Sequence, residues 1–112
     1  MARYIFSYGT LQFPEVQRAV FGRLLMGAPD ILSGYSEQPL PITDPSAIRI
    51  SGKRVHTIAR RTGDPRDRVP GVAYKVTEAD LVAADAYEID AHGRVEVDLD
   101  SGKRAFIYIG QP

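Results

Sequence analysis

The chain has 112 residues, 44% apolar and 25% charged, which is enough material for one hydrophobic core. Fourteen lysines and arginines balance fourteen aspartates and glutamates, so the basic footprint of a nucleic-acid or anionic-membrane binder is excluded. No cysteine is present, which also excludes disulfides, thiolate metal sites and cysteine nucleophiles.

The first element is Tyr4-Ile5-Phe6-Ser7-Tyr8-Gly9-Thr10-Leu11. Its aromatic and β-branched residues suit a buried strand that stops abruptly at Gly9. A lone glycine most often marks a turn. Here it also leaves backbone N–H groups unshielded at a strand end, where a carboxylate or carbonyl oxygen can be held. A short helix is expected next. Pro14 suits its first turn, Glu15 its positive end, and Val16, Ala19, Val20 and Leu24 stand at helical spacing; Phe21-Gly22 is expected to end it. Gly27-Ala28-Pro29-Asp30 reads as a loop, and Ile31 to Tyr35 as the entry to a second strand.

Pro39, Pro41 and Pro45 argue against interior strand or helix in the middle of the chain. Ile48 to Ser51 and Val55 to Ile58 alternate around Ser51-Gly52-Lys53, the pattern of a hairpin. Thr62 to Arg68 is a charged loop. Val72 to Val76, entered through Val69-Pro70-Gly71, is a strand. Thr77 with Asp80 resembles a capping box that starts a helix over Ala79 to Tyr87. Arg94 to Leu99 and Lys103 to Ile109 alternate as a closing hairpin around Asp100-Ser101-Gly102. The expected fold is α+β over residues 1–112: a small mixed, barrel-like sheet of about six strands with two flanking helices. No apolar run is long enough to cross a membrane and no signal-peptide core is visible, so a cytoplasmic protein is expected.

One carboxylate stands out. Leu81, Ala84 and Glu88 share a helix face by spacing. If the helix holds that far, Glu88 points inward at the helix C-terminus, where the macrodipole disfavours a negative charge. Burial there would raise its pKa toward the range useful for general acid–base work. If the helix frays after Tyr87, Glu88 is a solvated surface residue. The two placements weigh evenly on spacing alone. His56 and His92 lack ligand spacing, so no metal is expected. Ser7, Ser33 and Ser36 lack a nucleophile elbow, and Gly9 belongs to no phosphate-binding glycine motif. Arg60, Arg61, Arg66 and Arg68 interleave with Asp64 and Asp67, the composition of a solvated loop.

Four stretches together resemble the γ-glutamylcyclotransferase-like family, of BtrG-like fold. They are the strand into Tyr8-Gly9-Thr10-Leu11, Val69-Pro70-Gly71 before a strand, Asp85-Ala86-Tyr87-Glu88 closing the helix, and Arg94 with Phe106-Ile107-Tyr108-Ile109. The resemblance implies conversion of a small-molecule γ-glutamyl-amine or γ-glutamyl amino acid to 5-oxoproline and the free amine, without metal or cofactor. It also implies a catalytic role for Glu88, a substrate-binding loop at Tyr8, Gly9, Thr10 and Leu11, and a pocket-lining Tyr108. Where the family often has glycine after the glutamate, this chain has Ile89; where it usually has tyrosine four residues on, this chain has His92. Those two differences favour the rival expectation, a non-catalytic small-molecule binding module on the same fold. Neither nucleic acid nor membrane is expected as a partner, and the sequence leaves the oligomeric state open.

Overall fold

The computed structural model describes residues 3–41, 55–88 and 93–108. β1 (Arg3–Ser7) leads into a 3-10 turn (Thr10–Gln12) and helix α1 (Pro14–Phe21). β2 (Gly27–Ser33), β3 (Tyr35–Pro41), β4 (Val55–Arg61) and β5 (Arg68–Val76) follow. Helix α2 (Glu78–Tyr87), β6 (Arg94–Asp98) and β7 (Arg104–Tyr108) complete the described chain. Five strands form one sheet in the order β2-β5-β1-β7-β6, while β3 and β4 pair as a separate ribbon. The sheet is mixed: β1 and β7 run parallel, with Ile5 opposite Phe106, and the other neighbours are antiparallel. This is the expected α+β class with two helices, built from seven described strands rather than about six.

The helices start and stop for local reasons. α1 has Pro14 in its first turn and ends where Gly22 adopts φ +75°, a left-handed conformation that costs glycine little. At the head of α2 the Thr77 hydroxyl accepts the Asp80 N–H at 3.1 Å, and the Asp80 carboxylate accepts the Thr77 N–H at 2.8 Å. That is the complete capping box. Arg23 then donates twice to Asp80, at 2.8 and 2.6 Å, tying the segment after α1 to the start of α2.

Alternation along the central strands creates two cores, one on each face of the sheet. In β1, Ile5 packs toward the helices with Val16, Leu81, Ala84 and Tyr108, whereas Phe6 packs toward the ribbon with Leu32, Ala59, Val69 and Ile107. Burying each such aliphatic or aromatic side chain contributes about 1.5–3 kcal/mol. Gly71 of β5 lies under this second core. A Cβ there would run into the Ser7 carbonyl and the Phe6 ring, which explains the glycine of Val69-Pro70-Gly71.

Three expectations need correction. Gly27 to Asp30 is not a loop but the first half of β2, paired with β5 from Gly27 opposite Tyr74. β2 is an edge strand, so the missing N–H of Pro29 is tolerated, and Gly27 makes room for the Tyr74 ring. The second strand also ends at Ser33: Gly34, at φ +85°, turns the chain so that Tyr35 begins β3. Val55 to Ile58 is strand as expected; it extends to Arg61 and, among the described residues, pairs with β3, with Glu37 opposite Ala59. A two-stranded ribbon has only edges, which is why β3 accommodates Pro39 and Pro41. Arg60 and Arg61 accordingly belong to β4 and Arg68 to β5, so of the four arginines only Arg66 lies in the charged loop. The proposed partner Ile48 to Ser51, the turn at Ser51-Gly52-Lys53, Ile89, His92 and Ile109 lie outside the described residues.

Candidate active site

Because β1 and β7 are parallel, their C-terminal ends arrive side by side at one end of the sheet. Tyr8 follows β1 and Tyr108 ends β7. The Tyr8 hydroxyl donates to the Tyr108 carbonyl at 2.6 Å and accepts the Ala59 N–H at 2.8 Å. One phenol therefore ties the end of the sheet to the ribbon. Beyond Tyr8, Gly9 precedes the 3-10 turn, which closes through the Gln12 N–H to the Gly9 carbonyl at 3.2 Å and the Phe13 N–H to the Thr10 carbonyl at 3.0 Å. Nothing lies within 4 Å of where a Gly9 Cβ would stand. That side of Gly9 is open, while its N–H makes a long bond to Ser7 Oγ at 3.4 Å.

The C-terminal turn of α2 reaches the same place. The Tyr87 hydroxyl and Thr10 Oγ1 are hydrogen-bonded at 2.5 Å, so the turn after β1 is fastened to the helix end. Asp85 Oδ1 accepts the Tyr108 hydroxyl at 2.7 Å. Arg94 approaches the same carboxylate with Nε at 2.9 Å and Nη2 at 3.2 Å, its guanidinium 4.6 Å above the Phe106 ring. Glu88 is the residue just past α2. It caps the helix through its N–H to the Ala84 carbonyl at 2.9 Å, and it is half-buried. Its carboxylate lies within electrostatic reach of both Tyr8 and Tyr108.

The structure thus gathers Tyr8, Gly9, Thr10, Glu88 and Tyr108 at one end of the molecule. Leu11 is in the same turn, but its side chain is buried in the helix-side core and its carbonyl accepts Gln17 Nε2 at 2.8 Å. Leu11 therefore brings no side chain to the site. Two residues gain roles that local sequence reading missed. Asp85 orients Tyr108 and Arg94, nine positions from one and 23 from the other. Tyr87 couples the helix to the loop. Asp85 was part of the resemblance, yet spacing on the helix gave no reason for it.

The electrostatics fix the protonation of Tyr8, Tyr108 and Asp85. Burial pushes the Tyr8 phenol well above its ordinary value despite the Ala59 N–H, and the charges of Glu88 and Glu37 push it further. Burial first, then the bond to Asp85, does the same to Tyr108. Both phenols stay protonated across the physiological range and serve as donors, not bases. Asp85 is pulled below the usual carboxylate range, chiefly by Arg94, and so stays ionised. The Glu88 carboxylate is a further negative charge felt by both phenols. Among the described residues no group of three histidine, aspartate or glutamate side chains is arranged to hold a metal.

The mixed sheet, ribbon and two helices form a cyclotransferase-type fold. The model of the family described as gamma-glutamyl cyclotransferase, AIG2-like, matches residues 5–112, and the chain belongs to that family. Among solved structures, the solution structure of an Arabidopsis thaliana protein matches with a TM-score of 0.71 and 21% identity, covering 98% of this chain and 62% of that one. A structure titled gamma-glutamyl cyclotransferase matches with a TM-score of 0.68 and 16% identity, covering 99% and 68%. An uncharacterised Homo sapiens protein matches at 0.72 and 17%, again covering 99% and 68%. The chain therefore spans somewhat under or about two thirds of these proteins' own lengths, and at such identities the likeness is one of fold. No curated protein matches the sequence.

Proposed function

We propose that this protein is a γ-glutamyl cyclotransferase, releasing 5-oxoproline and a free amine from a γ-glutamyl-amine or γ-glutamyl amino acid. The observation that carries the reading is that Glu88 lies within electrostatic reach of Tyr8 and directly follows Tyr87, whose hydroxyl is bonded to Thr10 beside Gly9. The family membership supports it. In this reaction the substrate's α-amine attacks its own γ-carbonyl carbon. A ring C–N bond forms, the carbonyl electron pair moves to oxygen and returns, and the original amide C–N bond breaks. Holding the chain curled for that attack supplies much of the rate, because the step is intramolecular. The α-nitrogen gives up two protons on its way from ammonium to lactam N–H; Glu88 relays one of them to the departing nitrogen, and the other passes to solvent or to the freed amine. Backbone N–H groups at Gly9, Thr10 and Leu11 hold the substrate carboxylate or the developing oxyanion, and Gly9 leaves room for that approach. Tyr108, kept protonated and aimed by Asp85, lines the pocket.

The test is Glu88→Gln, assayed for 5-oxoproline release. Loss of proton transfer should lower turnover on the order of 10²–10⁴-fold while substrate still binds. Unchanged turnover would remove Glu88 from the mechanism.

A further inference from the structure

The ribbon brings a second carboxylate to Tyr8. Glu37 of β3 stands directly opposite Ala59 of β4. Opposed residues on an antiparallel pair share a face, and Ala59 is wholly buried against the sheet. Tyr35, two positions before Glu37 and so on the same face, packs onto that same core. Glu37 therefore leaves the ribbon on the side facing the sheet, at its solvent-open rim. The N–H of its cross-strand partner Ala59 is the group bonded to the Tyr8 oxygen. The charge of Glu37 is felt by the Tyr8 phenol, as is that of Glu88. Partial burial raises the Glu37 carboxyl above its ordinary value, and among the described residues no arginine or lysine pairs with it.

A cyclotransferase needs one carboxylate to move protons, and the substrate's α-ammonium gives up its charge during the step. The second carboxylate is surplus to that chemistry. At the rim of a site it attracts a cation and repels an anion. We propose that Glu37 determines substrate specificity by pairing with a positive charge on the amine portion of the substrate, the part that leaves. This rests on the cyclotransferase reading and narrows it: substrates whose leaving amine carries a distal ammonium are favoured over those with a neutral or carboxylate-bearing one.

The experiment compares γ-glutamyl-butylamine with its analogue in which a terminal ammonium replaces the methyl group. The wild-type protein should turn over the cationic compound with the higher kcat/KM. Glu37→Gln should lower kcat/KM for that compound about fivefold, the scale of a rim ion pair, and leave the neutral one unchanged. Glu37→Asp, which keeps the charge, should retain part of the preference. An equal loss on both compounds, or no loss on either, overturns the role of Glu37 while leaving the cyclotransferase reading intact. If the wild-type protein releases 5-oxoproline from neither compound, the cyclotransferase reading falls, and calorimetric binding of the same pair decides for Glu37. A cation preference that Glu37→Gln abolishes supports the pairing, and equal or absent binding overturns it.

Discussion

Asp85 accepts two hydrogen bonds from Arg94 and one from the Tyr108 hydroxyl, and it does so at the half-exposed end of α2. An exposed ion pair of this kind contributes at most about 1 kcal/mol to stability. Its larger consequence is geometric, because it sets the direction of the Tyr108 hydroxyl beside Glu88. Asp85→Asn should therefore shift the urea midpoint by no more than about 1 kcal/mol in free energy. The same change should lower 5-oxoproline release on the order of tenfold, because small displacements of positioning groups are costly in intramolecular reactions. Paired denaturation and kinetic measurements check this. A large stability loss with unchanged turnover would make Asp85 a structural post instead.

At the scale of elements, α2 is held at its head by Asp80, whose carboxyl is lowered from 3.8 to about 2, first by Arg23 and then by the Thr77 backbone and hydroxyl. A depressed pKa means the stabilisation is fully present above the unfolded value and disappears as pH falls through the folded one. Stability should thus decline as pH drops from about 4 to about 2, and Asp80→Asn should flatten that limb of a melting-temperature profile. An unaltered acid limb in the variant would contradict this. The start of α2 was legible in the sequence because a capping box is local: Thr77 and Asp80 are three positions apart. Gly22 and the closing β6–β7 hairpin were legible for the same reason. β2 and β3 were harder. Their prolines signal breaks, and only distant pairing with β5 and β4 makes them strands. The candidate site shows the same division. Leu81, Ala84 and Glu88 could be aligned by helical spacing, but the meeting of Glu88 with Tyr8 depends on β1 and β7 lying side by side. Family resemblance linked these residues in advance of geometry. Nothing local marked Glu37, since its place depends on a ribbon register that proline-rich sequence conceals.

Across the whole molecule, the central strands β1, β5 and β7 are packed on both faces, by helices on one side and by the ribbon on the other. The two cores therefore share their middle layer and should fail together. Leu81→Ala on the helix side and Ile107→Ala on the ribbon side should each cost about 2–5 kcal/mol, within one cooperative transition. Two separated unfolding steps by fluorescence and circular dichroism would show that the layers are independent. The Tyr8 hydroxyl sits at the seam of this arrangement, accepting the Ala59 amide from the ribbon while donating to β7. That makes the Ala59 amide a built-in spectroscopic probe. A small molecule over Gly9 that displaces the Tyr8 hydroxyl should shift this amide's proton resonance and speed its exchange with deuterium without touching Ala59 itself.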